Sequence, residues 1–163
     1  MSMKTVNPAT GETVRTYEEM DPASVERALD AAHNAFLGWR YSDFETRAGL
    51  MQEASRLLRE RSATYARLMA EEMGKPLAGG KAEIEKCAWV CDYYAKHARQ
   101  FLADEPIETD ASESWVAFRP LGVVLAVMPW NFPFWQVFRF AAPGLMAGNA
   151  GILFGRVAMG SGV

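Results

Sequence analysis

The chain has 163 residues, of which 50% are hydrophobic and 23% are charged, and its formal net charge is −3. This balance is typical of a soluble globular domain, and without a Lys/Arg-rich run we expect no nucleic-acid partner. The most apolar window, residues 121–138, is interrupted by Pro129, Asn131 and Pro133. A membrane helix needs about 20 largely apolar residues, so we expect no membrane partner.

The amino-terminal sequence MSMKTVNPATGE has no apolar run of the kind found in a secretory signal. Two cysteines in such a chain favour a reducing compartment, and we expect the cytoplasm. Val6 and residues 14–17 flank a turn-forming segment, residues 7–12, and predict two short strands.

Two helices are predicted next. Asp21 followed by Pro22 is typical of a helix start. Residues 42–45, Ser-Asp-Phe-Glu, have the form of a capping box that begins the second helix at Ser42. Helical spacing predicts one buried face on each helix. The residues expected on these faces are Val25, Ala28, Leu29, Ala32, Phe36, Trp39, Phe44, Ala48, Met51, Ala54 and Leu58.

A third helix is predicted over residues 62–73 and ends at Gly74, and a fourth runs over about residues 81–102. Cys87 and Cys91 lie four residues apart on the apolar stripe of the fourth helix, as a redox pair or half a metal site would. Because no His or further Cys lies nearby to complete a ligand set, we interpret both as core residues and expect no metal. His33 and His97 are interpreted as surface or interface residues.

The last third of the chain predicts strands. Residues 104–114 form an acidic loop or hairpin turn, and residues 115–119 predict a strand with one exposed face. Residues 121–128 are continuously apolar, as in a strand buried on both faces. A helix-like segment and a second buried strand over residues 150–154 follow. This order predicts an α/β fold with a helical layer and the start of a parallel sheet.

Asn131 is the candidate functional residue. Its amide follows the apolar strand, between Trp130 and Phe132 and enclosed by two prolines, at the strand end where open α/β sheets place their ligands. Next to a buried strand we expect the amide itself to be buried, and a buried amide must be hydrogen-bonded. If its side chain has no partner in the fold, it is a preorganised donor for an oxyanion. Asn is also used structurally in turns at strand ends, and both interpretations stay open.

Several motifs resemble the aldehyde dehydrogenase superfamily, and within it the bacterial succinate-semialdehyde dehydrogenase-like members. The motifs are NPATGE at residues 7–12, EMGKP at 72–76, RPLGV at 119–123, PWNFP at 129–133 and Gly148-Asn149. The resemblance covers about residues 5–152 and implies a Rossmann-like NAD(P)-binding sheet. It also implies an oligomerisation β-hairpin that includes residues 115–119, and hence a homo-oligomer.

The resemblance further implies oxidation of a small aldehyde, succinate semialdehyde being the expected one, with NAD or NADP as cofactor. In the family a cysteine thiolate attacks the aldehyde and a glutamate activates the hydrolytic water. Asn131 matches the amide that holds the oxyanion, and Met128, Pro129 and Trp130 match the cofactor cleft. Arg139 matches the arginine that binds the distal carboxylate of semialdehydes; a solvent-facing arginine is the alternative.

The resemblance stops near residue 154. Phe154 and Val157 stand where the family has a lysine and a glutamate that contact the ribose of the cofactor. We therefore expect residues 1–154 to be an incomplete cofactor-binding domain and residues 155–163 to be a tail unrelated to the family, as after a frameshift or premature stop. Neither Cys87 nor Cys91 matches the nucleophile. The expected product is an inactive fragment of the enzyme. Because most strands that would neighbour residues 121–128 are missing, we expect exposed sheet edges and apolar surface, and hence poor solubility or obligate association. The alternative is a non-catalytic protein that pairs with full-length subunits.

Overall fold

The structure, a computed structural model, describes residues 2–155. Val157 and most of the predicted tail lie outside these residues. An antiparallel hairpin comes first, four helices follow, and a short hairpin leads into a β–α–β unit. The elements are β1 (Ser2–Val6), β2 (Thr13–Glu18), α1 (Pro22–Trp39), α2 (Phe44–Glu60), α3 (Ser62–Met73), α4 (Leu77–Phe101), β3 (Glu105–Pro106), β4 (Trp115–Val116), β5 (Val123–Met128), α5 (Pro133–Met146) and β6 (Ala150–Gly155).

Local capping signals place two of the helix ends as predicted. The Asp21 carboxylate accepts a 2.7 Å hydrogen bond from the Ser24 backbone N–H, with Pro22 in the first helical position of α1. Gly74 ends α3 in the left-handed conformation at φ 71°, which glycine adopts without the steric cost of a Cβ. The mixed α/β composition is likewise confirmed.

The predicted capping box at the start of α2 is wrong by one residue. Asp43 is the N-cap, and its carboxylate accepts a 2.6 Å hydrogen bond from the Thr46 backbone N–H. The Ser42 hydroxyl instead donates to the carbonyl oxygen of Trp39, in the last turn of α1, at 2.6 Å. Ser42 therefore caps a carbonyl group at the end of α1, and Asp43 is the residue that caps the start of α2.

Helix α4 begins at Leu77, about a turn before the predicted start. Its first turn contains Gly79 and Gly80, which are weak helix formers. Gly80 is buried against α3, and a Cβ on it would lie 3.0 Å from both the Cα and the Cβ of Ala66. Close packing of the two helices thus favours glycine at this position.

The core is built around α4, which packs against α2, α3 and α5. Its predicted stripe is confirmed, with Ile84, Cys87, Ala88 and Cys91 fully inaccessible to solvent. The face of α1 is mostly open instead: Phe36 is buried, while Val25 and Leu29 are exposed. Helical spacing identifies an apolar face, but burial also requires a neighbouring element.

Strands β5 and β6 pair in parallel, from Val123 beside Ala150 to Met128 beside Gly155, and α5 connects them. The continuously apolar sequence predicts cover on both faces, whereas the missing neighbouring strands predict exposed apolar surface, and the exposures agree with the second expectation. In β5 only Ala126 is buried, at 4% exposure, whereas Leu125 and Val127 are 66% and 65% exposed. Within residues 2–155 this sheet has two strands, and the side chains of Leu125 and Val127 are left largely exposed to solvent.

The second hairpin is shorter than expected. Only Trp115 and Val116 of the predicted strand form one, pairing with Pro106 and Glu105, respectively. Both Trp115 and Val116 are exposed, so the hairpin lies outside the core. Among residues 2–155, no helix has the length and apolar character needed to span a membrane.

Candidate functional site

The candidate site is the turn of residues 129–133, between the carboxyl end of β5 and the first turn of α5. Met128 is the last residue of β5 and Pro133 is the first of α5. Ligands of open α/β sheets bind at such strand ends, and helix amino termini attract negative charge through their free N–H groups. The turn therefore lies where ligands of such sheets bind, while the N–H groups of Phe134 and Trp135 at the start of α5 are already bonded to the Glu83 carboxylate.

Asn131 is exposed in this turn, which corrects the expectation of a buried amide next to a fully buried strand. Its side chain has no hydrogen-bond partner among residues 2–155. It does not cap α5 either, because the N-cap residue is Phe132 and no side-chain hydrogen bond is made there. Of the two interpretations left open by the sequence, the donor role agrees with this geometry, since the amide is free to meet a ligand.

The predicted cofactor residues Met128, Pro129 and Trp130 run directly into Asn131. Met128 is half-buried at the end of β5, Pro129 is exposed, and Trp130 is half-exposed. An exposed indole next to a free amide is a suitable surface for a flat heteroaromatic ring. The cofactor role of these three residues stays a prediction.

Arg139 lies in the second turn of α5 and is exposed. Within the described part of the chain it has no ion pair or hydrogen bond. Its guanidinium is therefore available to a carboxylate in solution, but its burial is also that of an ordinary surface arginine. The substrate-binding role stays a prediction.

A residue that sequence reasoning missed lies beneath the turn. Glu83 of α4 is 4% exposed, and one of its oxygens, Oε1, accepts hydrogen bonds of 2.9 Å from the backbone N–H groups of both Phe134 and Trp135. Its other oxygen, Oε2, forms an ion pair with Lys75, which is also largely buried. The signal in the sequence was an acidic residue directly before Ile84, within a buried apolar stripe.

Lys75 reaches the same turn from the loop after α3. Its ammonium group lies 3.9 Å from the centroid of the Phe132 ring, within the range of a cation–π interaction. The third helix was predicted to end at Gly74, and Gly74 does end α3. The loop therefore also contacts the residue next to Asn131.

The cysteines do not contribute a nucleophile to this site. Burial raises the pKa of both thiols to about 12, and the Glu83 carboxylate adds to the effect at Cys87. Since the thiolate is the reactive form, these side chains are inert core residues, as predicted. His97 contacts the rings of Tyr93 and Phe101 on α4, and His33 contacts Phe36.

Comparison with known proteins agrees with this description. Residues 1–154 match the aldehyde dehydrogenase family. The chain is 51% identical over 153 residues to a probable succinate-semialdehyde dehydrogenase [NADP(+)] of Synechocystis, covering 94% of this chain and 34% of that protein. It is 49% identical to the succinate-semialdehyde dehydrogenase [NADP(+)] of Mycobacterium avium, covering 94% of this chain and 33% of that one.

Solved structures give the same result. The succinic semialdehyde dehydrogenase of Streptococcus pyogenes, in complex with NADP⁺, superposes with a TM-score of 0.89 at 34% identity, covering 94% of this chain and 34% of that one. The succinate-semialdehyde dehydrogenase of Burkholderia pseudomallei gives 0.88 at 31% identity, covering 95% and 32%. The chain thus spans about a third of the length of the relatives it matches. With its family match, its fold and the PWNFP turn in agreement, the chain belongs to the aldehyde dehydrogenase family.

Proposed function

We propose that residues 1–154 are the amino-terminal part of the NAD(P)-binding domain of a succinate-semialdehyde dehydrogenase. The single observation that carries the proposal is the Asn131 amide, exposed and without a partner among residues 2–155, at the carboxyl end of β5. Identity of about 50% to relatives named as NADP(+)-dependent succinate-semialdehyde dehydrogenases supports the choice of reaction.

Asn131 acts in this proposal as an oxyanion donor. When a nucleophile attacks an aldehyde, the carbonyl oxygen becomes negatively charged and needs a donor already in place. Pro129 and Pro133 restrict the backbone on either side of Asn131, and one oxyanion donor is commonly worth about 3–4 kcal/mol of barrier.

NADP⁺ is the cofactor we propose, because relatives from Synechocystis and Mycobacterium avium carry it in their names. Its nicotinamide accepts a hydride from the substrate when bound. The residues present fit such a group: Met128 and Pro129 lead from the strand to the half-exposed indole of Trp130. We assign these three residues to one wall of the cofactor cleft.

Arg139 supplies the proposed substrate specificity. Succinate semialdehyde carries a carboxylate at the end opposite the aldehyde, and a guanidinium with no partner within the described chain can pair with it in a two-pronged arrangement. The nucleophile is not assigned to residues 1–154, because both cysteines are buried thiols with raised pKa values. We therefore expect this chain to be inactive by itself.

A second candidate function is supported by the uncovered sheet face. Leu125 and Val127 are largely exposed, and contiguous apolar patches of this kind mark interaction sites. The chain would then associate with full-length subunits, with the β3–β4 hairpin as the proposed oligomerisation element. Recovery of the chain in a stable complex with such a subunit, in the absence of activity, would favour this candidate.

A chimera tests the proposed function. Residues 1–154 replace the matching segment of the Synechocystis relative, and the product is assayed with succinate semialdehyde and NADP⁺. We expect the chimera to turn over substrate and the unfused chain to show no turnover. Asn131→Ala should lower kcat by about 10²–10³-fold, whereas Asn34→Ala, at an exposed asparagine of α1, should have no effect. Full activity of the Asn131→Ala chimera would overturn the oxyanion role.

A further inference from the structure

We propose that Lys75 and Glu83 are a positioning pair that fixes the geometry of the Asn131 turn. The inference rests on the proposed function, since it is the placement of the Asn131 amide that gives the pair its role. The two residues come from different parts of the chain, the loop after α3 and the second turn of α4, and meet beneath the first turn of α5.

Glu83 supplies the cap that α5 lacks. No side chain at the N-cap residue Phe132 bonds to the free N–H groups of the first turn. The Glu83 carboxylate takes this place from a distant helix, accepting from the backbone of both Phe134 and Trp135. Hydrogen bonds to an ionised acceptor are roughly twice as strong as neutral ones, and a negative charge is favourable at this end of a helix.

Lys75 holds the turn from the other side. Its ammonium group pairs with the remaining oxygen of Glu83 and lies against the Phe132 ring. The pair thus contacts residues 132, 134 and 135, directly after Asn131. Two of these three contacts are to backbone groups, so the pair constrains the path of the chain and not only its side chains.

The burial of the pair distinguishes positioning from simple stabilisation. The Lys75 and Glu83 side chains are 11% and 2% exposed, respectively. Removing two charges from water largely offsets their attraction, so a buried ion pair adds little net stability compared with packed apolar residues. A directional, charged pair does, however, restrict the groups around it to one geometry. Here those groups are the residues next to the proposed oxyanion donor.

Hydrogen exchange of the full chain, measured by mass spectrometry with fragmentation to single residues, tests the proposal. Glu83→Gln preserves the shape and one acceptor oxygen but removes the charge. We expect exchange at residues 130–135 to become about five- to tenfold faster, while exchange in α2 stays unchanged. Glu85→Gln is the control, because Glu85 lies on the same helix and pairs with Arg59 at the surface.

A second variant keeps the test decisive if Glu83→Gln weakens the whole fold. The double variant Lys75→Met/Glu83→Gln leaves no unpaired buried charge, so it should retain the unfolding midpoint and still show faster exchange at residues 130–135. Equal acceleration throughout the chain, or unchanged exchange at the turn in both variants, would overturn the proposal. The measurement needs neither cofactor nor aldehyde, so a failure of the proposed function would be recognised separately, in the chimera assay.

Discussion

The guanidinium of Arg47 donates a 2.9 Å hydrogen bond to the carbonyl oxygen of Met146, across 99 residues of sequence. Arg47 is buried in α2, and Met146 is the last residue of α5. The carbonyl groups at a helix end lack partners within the helix, and a cation is favourable there. This bond therefore connects the last turn of α5, the helix that follows Asn131, to α2.

Replacing Arg47 tests the weight of this bond. Arg47→Met keeps much of the side-chain packing but leaves the Met146 carbonyl without its donor. We expect the free energy of unfolding to fall by about 1–3 kcal/mol, measured by urea denaturation followed by circular dichroism. Arg56→Met is the matched control on the same helix, where Arg56 forms exposed ion pairs with Glu53 and Glu60. It should cost much less than Arg47→Met, because exposed ion pairs contribute little to stability, and an equal loss at both positions would contradict the role of Arg47.

Gly148 makes a second prediction, because it lies in the left-handed region at φ 83° beside Arg47. A Cβ at this position would come within 2.8 Å of a guanidinium nitrogen of Arg47 and 2.9 Å of Cγ of Pro120. Gly11 has a similar φ of 74° but open space around the same point. Both alanine variants meet the left-handed conformation, at about 1 kcal/mol. Gly148→Ala adds a clash that overpacking data place at about 1–3 kcal/mol more. Unfolding midpoints that coincide for the two variants would show that the clash is relieved without cost.

Local signals explain why much of the fold could be predicted from the sequence. Asp21, Pro22 and Gly74 act on backbone groups within one turn, so a short stretch of sequence contains the whole interaction. The order of β5, α5 and β6 was likewise predictable, because strand and helix patterns alternate over residues 121–154. The shift of one residue from Ser42 to Asp43 shows the limit of this approach where two adjacent residues can both cap.

Polar contacts between distant elements could not be predicted in the same way. Glu83, Arg47 and Asn149 each bond to backbone groups of another segment; Asn149 accepts from the backbone of Leu121 at 2.6 Å and of Gly122 at 3.1 Å. Such partners depend on how elements pack and not on neighbours in sequence. The motif Gly148-Asn149 was recognised as part of a family pattern, but its structural role at the start of β5 became visible only in the fold.

Burial was the least predictable property of the site. The apolar character of residues 121–128 predicted a strand covered on both faces, but cover comes from other elements, and within the described chain it exists for one face only. The same reasoning made Asn131 a buried amide, whereas it is exposed. The composition of a strand thus indicates which of its faces are apolar. Whether such a face is buried depends on the elements that pack against it.

The two buried thiols predict a specific pH dependence. Burial raises the pKa of Cys87 and Cys91 from 9.0 to about 12, so the folded chain keeps these protons at pH values where the unfolded chain loses them. Their contribution to stability is therefore complete below pH 9.0 and is lost progressively as the pH rises from there to about 12. The double variant Cys87→Ala/Cys91→Ala should show a shallower decline in this range, measured by urea denaturation at a series of pH values. Effects of pH that the two proteins share cancel in the comparison.

Thiol reactivity measures the same property independently. At pH 8 a pKa of about 12 in place of 9.0 lowers the thiolate fraction by about a thousandfold. Iodoacetamide should therefore label the native chain far more slowly than the chain in urea. Rapid labelling of either cysteine under native conditions would show that the α4 stripe opens readily or that the thiols are not buried.

The uncovered face of β5 and β6 predicts self-association. Leu125, Val127 and Phe154, which is 63% exposed, lie on one face because side chains alternate along paired strands and Val127 is the register partner of Phe154. We expect sedimentation velocity to show assemblies that grow with concentration. Leu125→Lys/Val127→Lys should shift the chain toward monomer, because a charge on this face must keep its hydration. Met20→Lys is the control, since Met20 is an equally exposed apolar residue, at 66%, outside this face. Dissociation by Met20→Lys as well would assign the effect to net charge, and a monomeric parent chain at every concentration would contradict the prediction.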